Sequence, residues 1–88
     1  MTAREKNMEQ LKEFRKKYPE ALFMWRTGDS YEMYGRDAEA LEVVCGCRAM
    51  LDLATKKCFA SFAHSALDTY LPKLVKRGYR IAIVDKLQ

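Results

Sequence analysis

The sequence predicts a protein of the α/β class, of the α+β type, in which a mixed β-sheet of about five strands packs with three helices. Three observations lead to this prediction. Apolar residues recur at three- and four-residue steps in three segments, short apolar runs typical of strands lie between them, and turn-forming residues separate the segments. Because 88 residues have room for only one hydrophobic core, we expect residues 1–88 to form a single domain.

The first helix is predicted to begin at Thr2, because Thr2 and Glu5 have the spacing of a capping box, in which each side chain bonds a free backbone amide. One apolar stripe follows, made of Met8, Leu11, Phe14 and Tyr18. Pro19 disfavours helical geometry in the residue before it, so the helix should end near Tyr18.

A β-hairpin and a second helix should come next. Residues 21–26 and 31–34 are apolar and rich in aromatic side chains, and residues 27–30 between them suit a tight turn. Helical spacing returns from Asp37, the predicted N-cap of a short helix, and Gly46 should end that helix.

Three further strands or strand-like segments are expected in the second half of the chain. Residues 47–53 and 58–62 can pair around the connection at residues 54–57. Residues 79–84 are rich in β-branched side chains and alternate in part, which is typical of a strand. Residues 79–84 should form the last strand of the sheet.

The third helix is predicted between these strands. Ser65 and Asp68 have the spacing of a cap and its partner. The apolar face consists of Leu67, Tyr70, Leu71 and Leu74. Pro72 should kink the helix, which we expect to end near Gly78.

The amino-acid composition limits the kinds of binding partner and the cellular location that we expect. Sixteen Lys and Arg residues against twelve Asp and Glu give a net charge of +4, which suits a polyanion without requiring one. The longest apolar stretch, residues 21–25, is far shorter than the roughly 20 residues of a membrane span, so no membrane partner is expected. Residues 1–17 are charged and lack the apolar block of a secretory signal, so we expect a cytoplasmic location.

Residues that could carry chemistry are few and scattered. Cys45 and Cys47 are separated by one residue, Cys58 is distant in sequence, and His64 is the only histidine. Buried thiols are therefore a simpler interpretation than a zinc site. An odd number of cysteines also fits a reducing compartment. No oxyanion hole or clustered glycine loop is evident, so we expect no enzymatic activity, metal, cofactor or nucleotide.

Two basic sets have simple structural explanations. Lys12, Lys16 and Lys17 on the first helix could bind phosphates or could form a solvated helix face. The second set is Lys73, Lys76, Arg77 and Arg80. Cations near a helix C-terminus complement the helix dipole, and this explanation is favoured for the second set.

One stretch is far more specific than these patterns. Residues 23–34, FMWRTGDSYEMY, closely resemble the hairpin that carries the Phe-x-Glu motif in the N-terminal mismatch-recognition domain of the MutS family of DNA mismatch repair proteins. The resemblance continues through residues 37–38, residues 66–75, Gly78 and residues 81–83. It covers nearly the whole chain and implies a mixed α/β domain.

The resemblance also implies a way of reading DNA. In the family, the phenylalanine stacks on a mispaired base from the minor groove and the glutamate two residues later hydrogen-bonds that base. A mispaired base step is easier to unstack than a paired one. A protein that must deform the DNA therefore binds a mismatch in preference to paired DNA. In this sequence Ser30 stands at the phenylalanine position and Glu32 is kept. Because aromatic stacking contributes roughly 1 to 3 kcal/mol per base, we expect weak discrimination between mismatched and paired DNA.

Other positions differ from the family pattern. The Lys-Arg pair of the family aligns near Leu51 and Asp52, and its Gly-x-Pro element reads Ser-Phe-Ala at residues 61–63. Lys56 and Lys57 lie in a shortened loop, where they can restore positive charge, and Phe59 falls where the family has a methionine near the mismatch. The candidate DNA-binding residues are therefore Ser30, Glu32, Lys56, Lys57 and Phe59.

We thus expect a non-enzymatic DNA-binding module of the mismatch-recognition type, degenerate at its wedge, that binds double-stranded DNA weakly. A mismatch repair protein is a second candidate partner. The alternative is a protein-interaction or regulatory module that kept the fold and lost DNA reading, which exposed aromatic side chains would favour. A structural remnant without activity is a third interpretation, because a fold can outlive its site.

Overall fold

A computed structural model describes residues 2–85 of the chain. The elements follow the predicted order. They are α1 (Ala3–Lys17), β1 (Ala21–Thr27), β2 (Ser30–Tyr34), α2 (Arg36–Cys45), β3 (Met50–Asp52), β4 (Lys57–Ala63), α3 (Leu67–Lys76) and β5 (Arg80–Val84). A short 3₁₀ turn, His64–Ala66, precedes α3. The predicted fold class is confirmed.

The five strands form one mixed sheet in the order β3-β4-β2-β1-β5. β1 and β2 form the predicted antiparallel hairpin, β4 pairs antiparallel with both β2 and β3, and β5 pairs parallel to β1. The central position of β2 follows from this pairing. Its residues therefore have neighbours on both sides.

Each face of the sheet packs against different helices, because successive side chains of a strand point to opposite faces. α1 covers one face, where Phe14 stacks on Trp25 at 5.7 Å between ring centroids and Tyr34 lies in the same core cluster. α2 and α3 cover the other face through Leu41 and Leu74, both fully buried. No helix among residues 2–85 is long and apolar enough to cross a membrane.

Three predicted helix ends are confirmed. The Thr2 hydroxyl accepts a hydrogen bond from the Glu5 amide at 3.1 Å, and the Glu5 carboxylate accepts one from the Thr2 amide at 3.1 Å, which completes the capping box. α1 ends with Tyr18 as its C-cap. α2 ends at Gly46, whose φ of 78° is left-handed, a conformation that glycine adopts without a steric penalty.

Two predicted caps are wrong. Gly35, not Asp37, is the N-cap of α2, because Asp37 turns inward and accepts hydrogen bonds from the Phe23 amide and the Arg15 guanidinium. Ser65 does not cap α3, since the 3₁₀ turn intervenes and the N-cap is Ala66, which makes no side-chain cap bond. α3 continues through Pro72 to Lys76.

Candidate nucleic-acid interface

The tip of the β1–β2 hairpin is a two-residue turn of Gly28 and Asp29, closed by the pairing of Thr27 with Ser30. Gly28 has a φ of 59°, whereas the φ of Asp29 is not positive. A positive φ at the first central residue alone is the pattern of a type II′ turn, which favours glycine there. The His64 amide donates to the Asp29 carbonyl at 2.8 Å and so ties the tip to the end of β4.

Ser30 begins β2 at this tip. It lies opposite Thr27 on β1 and opposite Ala63 on β4, and it is half-buried. Because strand side chains alternate, Ser30 shares a face of the sheet with Glu32 and Tyr34, the face that α1 covers further along. Ser30 is therefore a small side chain between small cross-strand neighbours.

Glu32 is held by an arginine from the first turn of α1. Arg4 Nε donates to Glu32 Oε1 at 3.1 Å, and Arg4 Nη2 donates to Oε2 at 2.8 Å. The two side chains are 29% and 12% exposed. This is a bidentate, charge-assisted pair, the strongest common kind of side-chain hydrogen bonding. The bonding to Glu32 raises the pKa of Arg4 above its ordinary value.

Tyr34 supports the same carboxylate from the other side. Its hydroxyl donates to Glu32 Oε1 at 2.9 Å and accepts a hydrogen bond from Asn7 Nδ2 at 3.0 Å. Burial raises the pKa of Tyr34 well above its ordinary range, so the hydroxyl keeps its proton and remains a donor. Asn7, Tyr34 and Arg4 thus fix the orientation of Glu32.

Phe59 lies under the same arginine. The Arg4 guanidinium carbon is 3.7 Å from the centre of the Phe59 ring, a cation–π contact. Arg4 Nη1 also donates to Asp52 Oδ1 at 3.0 Å, so the arginine joins α1 to residues of β2, β3 and β4.

Residues 53–56 connect β3 to β4, and with Lys57, the first residue of β4, they are here called the basic turn. The Asp52 carboxylate accepts hydrogen bonds from the Thr55 amide at 3.1 Å and the Thr55 hydroxyl at 2.6 Å. These bonds from Thr55, together with Arg4, lower the pKa of Asp52. Lys56 has a φ of 60°, which is unusual for a residue with a side chain. Both Lys56 and Lys57 are exposed.

The predicted site residues therefore extend along β2 and β4. Arg4 brings Glu32 and Phe59 together, and Ser30 is on the same face at the hairpin tip. Lys57 lies two residues from Phe59, at the end of β4 opposite to the partner of Ser30. Ala63, which pairs with Ser30, and Lys57 are the two ends of β4. At roughly 3.3 Å per residue, the ends of this 7-residue strand are about 20 Å apart.

Arg4 is the residue that the sequence analysis missed. A signal was present, because Arg4 precedes Met8 by four residues and so extends the apolar stripe by one position at its N-terminal end. A charged residue on a stripe that faces the sheet needs a partner there. Glu32 and Asp52 are those partners.

Other chemistry is sparse within the described residues. No three His, Cys, Asp or Glu side chains of residues 2–85 are grouped so that they could hold a metal ion. Cys45, Cys47 and Cys58 are free and half-buried. Of the second basic set, Lys73, Lys76 and Arg77 line one depression beside Val44.

Comparison with known proteins agrees with the hairpin and the fold. The family model of MutS domain I matches residues 5–88. The DNA mismatch repair protein MutS of Flavobacterium johnsoniae is 42% identical over 84 residues, which cover 92% of this chain and 10% of that protein. The proteins of the same name from Parabacteroides distasonis and Cytophaga hutchinsonii are 42% and 40% identical, with the same coverage.

The fold and the hairpin define a small α+β domain with a sheet of five strands and three helices. The chain belongs to the MutS domain I family. It spans about a tenth of the length of the curated relatives that it matches.

Proposed function

We propose that this chain is a non-enzymatic DNA-binding domain of the mismatch-recognition type, working in the cytoplasm, in which residues 1–88 act as one domain. The observation that carries the proposal is Glu32. It occupies the glutamate position of the Phe-x-Glu motif, and Arg4 and Tyr34 hold its carboxylate on one face of the hairpin. Arg4 also supplies a positive charge beside a carboxylate that would otherwise repel phosphates.

Ser30 makes the proposed reader a weak discriminator. A hydroxymethyl group cannot stack on a base, so the roughly 1 to 3 kcal/mol of base–aromatic stacking is missing. Deforming a duplex costs of order 1 to 6 kcal/mol, and this cost must be offset by other contacts. We therefore propose binding that depends mainly on phosphate contacts, with little preference for a mismatch.

Lys56 and Lys57 are proposed to bind DNA phosphates at a distance from the base that Glu32 contacts. Glu32 pairs with Ser61, four residues from Lys57 along β4, so the separation is about 13 Å and corresponds to about four nucleotides at 3.4 Å per nucleotide along one strand. If β4 follows the duplex axis, Lys57 contacts the backbone about that far from the base that Glu32 contacts. The basic turn is fixed by Asp52 and Thr55, so the lysine backbone needs little ordering on binding.

The proposal is tested by fluorescence anisotropy with labelled paired, singly mismatched and single-stranded DNA at several salt concentrations. We expect dissociation constants in the micromolar range or weaker, because nonspecific binding has values of about 10⁻⁴ to 10⁻⁶ M and a clear salt slope. Flat titrations with all three DNAs at low salt would contradict the proposal. Circular dichroism of the same sample must show a mixed α/β spectrum, which also tests the single-domain proposal.

A protein-interaction module is the second candidate function. It is favoured by exposed apolar side chains, since Leu51 is 60% exposed, Leu53 is 81% exposed and the aromatic Tyr18 is 60% exposed. A repair protein is the proposed partner in that case. Flat DNA titrations combined with stoichiometric binding to a full-length mismatch repair protein would select this function.

A further inference from the structure

The Glu32 carboxylate has one acceptor position left. A carboxylate offers about four lone-pair sites for hydrogen bonds. Oε1 accepts from Arg4 Nε and from the Tyr34 hydroxyl, whereas Oε2 accepts only from Arg4 Nη2 within residues 2–85. The side chain is 12% exposed, so a small part of it meets solvent. Glu32 can thus accept one more hydrogen bond, through Oε2, while its charge stays paired.

Arg4 is itself held from three directions. Its guanidinium lies on the Phe59 ring at 3.7 Å, and Asp52 accepts from Nη1 at 3.0 Å. Asp52 in turn is fixed by Thr55. The planar guanidinium therefore has little rotational freedom, and Glu32 is aligned along one of its edges.

The charges of this cluster explain why the arginine matters near DNA. Glu32 and Asp52 carry two negative charges, and Arg4 carries one positive charge between them. Without Arg4, two carboxylates would stand unpaired at the face proposed to meet phosphates. With Arg4 in place, one of these two negative charges is compensated, and Glu32 presents its acceptor beside a bound cation.

We propose that Arg4 is a positioning residue for DNA reading, which neutralises Glu32 and holds its Oε2 atom ready to accept a hydrogen bond from a base. This inference rests on the proposed DNA-binding function. It also separates Arg4 from an ordinary phosphate contact, because the effect of Arg4 on DNA affinity passes through Glu32.

The test is a double-mutant cycle of Arg4→Met and Glu32→Gln, read by anisotropy on paired and mismatched duplexes. Lys6→Met is the matched control, because Lys6 is exposed, lies in the same turn of α1 and loses the same charge. A unit charge at 4 Å in water contributes about 1 kcal/mol, so we expect Arg4→Met to weaken binding about fivefold more than Lys6→Met. In the Glu32→Gln background this excess should shrink, because only the Asp52 carboxylate then loses its partner. Arg4→Lys should recover part of the affinity.

Salt separates this role from a purely structural one. The excess weakening should shrink between about 0.01 M and about 0.15 M salt, because the Debye length falls from about 30 Å to about 8 Å. A folding defect, checked by thermal unfolding of every variant, would not be screened by salt. Equal losses from Arg4→Met in both backgrounds would overturn the inference and make Arg4 a direct phosphate contact. Absence of DNA binding by the unmodified chain would overturn the proposed function, and this role of Arg4 with it.

Discussion

The two hairpins of this domain differ in what they present to a ligand. The β1–β2 hairpin carries Ser30 and a paired Glu32, and neither side chain presents an aromatic ring or an unpaired charge. The β3–β4 hairpin, at the other end of the sheet, presents Lys56, Lys57 and an exposed Leu53. Base reading and phosphate binding are therefore expected from different ends of one sheet.

The hairpins also differ in the carboxylate that supports each of them. Asp37 supports β1, where it accepts from the Phe23 amide at 3.1 Å and from Arg15 at 2.8 Å, and it is fully buried. Asp52 supports the basic turn, and its side chain is 14% exposed. Removing one member of a buried pair destabilises the fold, whereas a partly exposed pair can also contact a ligand.

The largest expected effect comes from removing Asp37. Asp37→Ala leaves Arg15 without its carboxylate partner and the Phe23 amide without its acceptor. Breaking a buried pair on one side costs about 3 to 5 kcal/mol. We expect a loss of this size in the free energy of unfolding, measured by urea titration with circular dichroism. A loss no larger than that of Asp52→Ala would show that Asp37 is not the main support.

The two aspartates should respond to pH in opposite directions. Burial raises the pKa of Asp37 above 3.8, so its protonation favours the folded chain, and this stabilisation fades as the pH rises through the raised value. Hydrogen bonds from Thr55 lower the pKa of Asp52 below 3.8, so its contribution is complete above 3.8 and is lost as the pH falls through the lowered value.

Unfolding titrations between about pH 7 and about pH 3 can compare the wild type with two variants. As the pH falls toward 3.8, the stability deficit of Asp37→Asn should grow. Below 3.8, the deficit of Asp52→Asn should shrink. If both deficits move in the same direction, the contrast between the buried and the open carboxylate is wrong.

A smaller effect is expected from the basic turn. Replacing Lys56 and Lys57 with Ala should weaken binding to paired and mismatched DNA alike, and should reduce the slope of log K against log salt by about 1.8, which is 0.9 for each lost phosphate contact. The control is the replacement of Lys73 and Lys76, on α3, which removes the same charge elsewhere. Equal changes in both double variants would mean that net charge alone determines the affinity.

Local sequence signals predicted most of the fold. The capping box of Thr2 and Glu5, the stop at Gly46 and the hairpin around Gly28 depend on residues close together in the chain, and all three are present. Long-range pairing was harder to predict. Local spacing predicts Asp37 as a helix cap. It cannot show that Asp37 accepts hydrogen bonds from Arg15 and from the Phe23 amide, because both donors are distant in sequence.

The candidate site shows the same limit. The family pattern predicted Ser30 and Glu32 as candidate site residues, but it could not show that Arg4 pairs with Glu32, 28 residues away in sequence. Neither could it show that Lys57 lies at the far end of β4 from the partner of Ser30, because this depends on the register of β2 against β4. Strand register and ion pairs between distant segments are properties of the folded chain.

The central claim, that the β1–β2 tip is a reading position without its wedge, is tested most directly by Ser30→Phe. The ring should be tolerated, because the cross-strand neighbours Thr27 and Ala63 are small. Ala54→Phe is the matched control, since it adds the same ring to an exposed position of the basic turn.

Anisotropy should be measured for the wild type and both variants on paired and singly mismatched duplexes, with folding confirmed by circular dichroism. Stacking offers roughly 1 to 3 kcal/mol per base, but much of this offsets DNA deformation, so we expect Ser30→Phe to prefer the mismatch about threefold. Ala54→Phe and the wild type should show little preference. If folded Ser30→Phe binds both duplexes equally, or if Ala54→Phe gains the same preference, Ser30 does not lie at a reading tip.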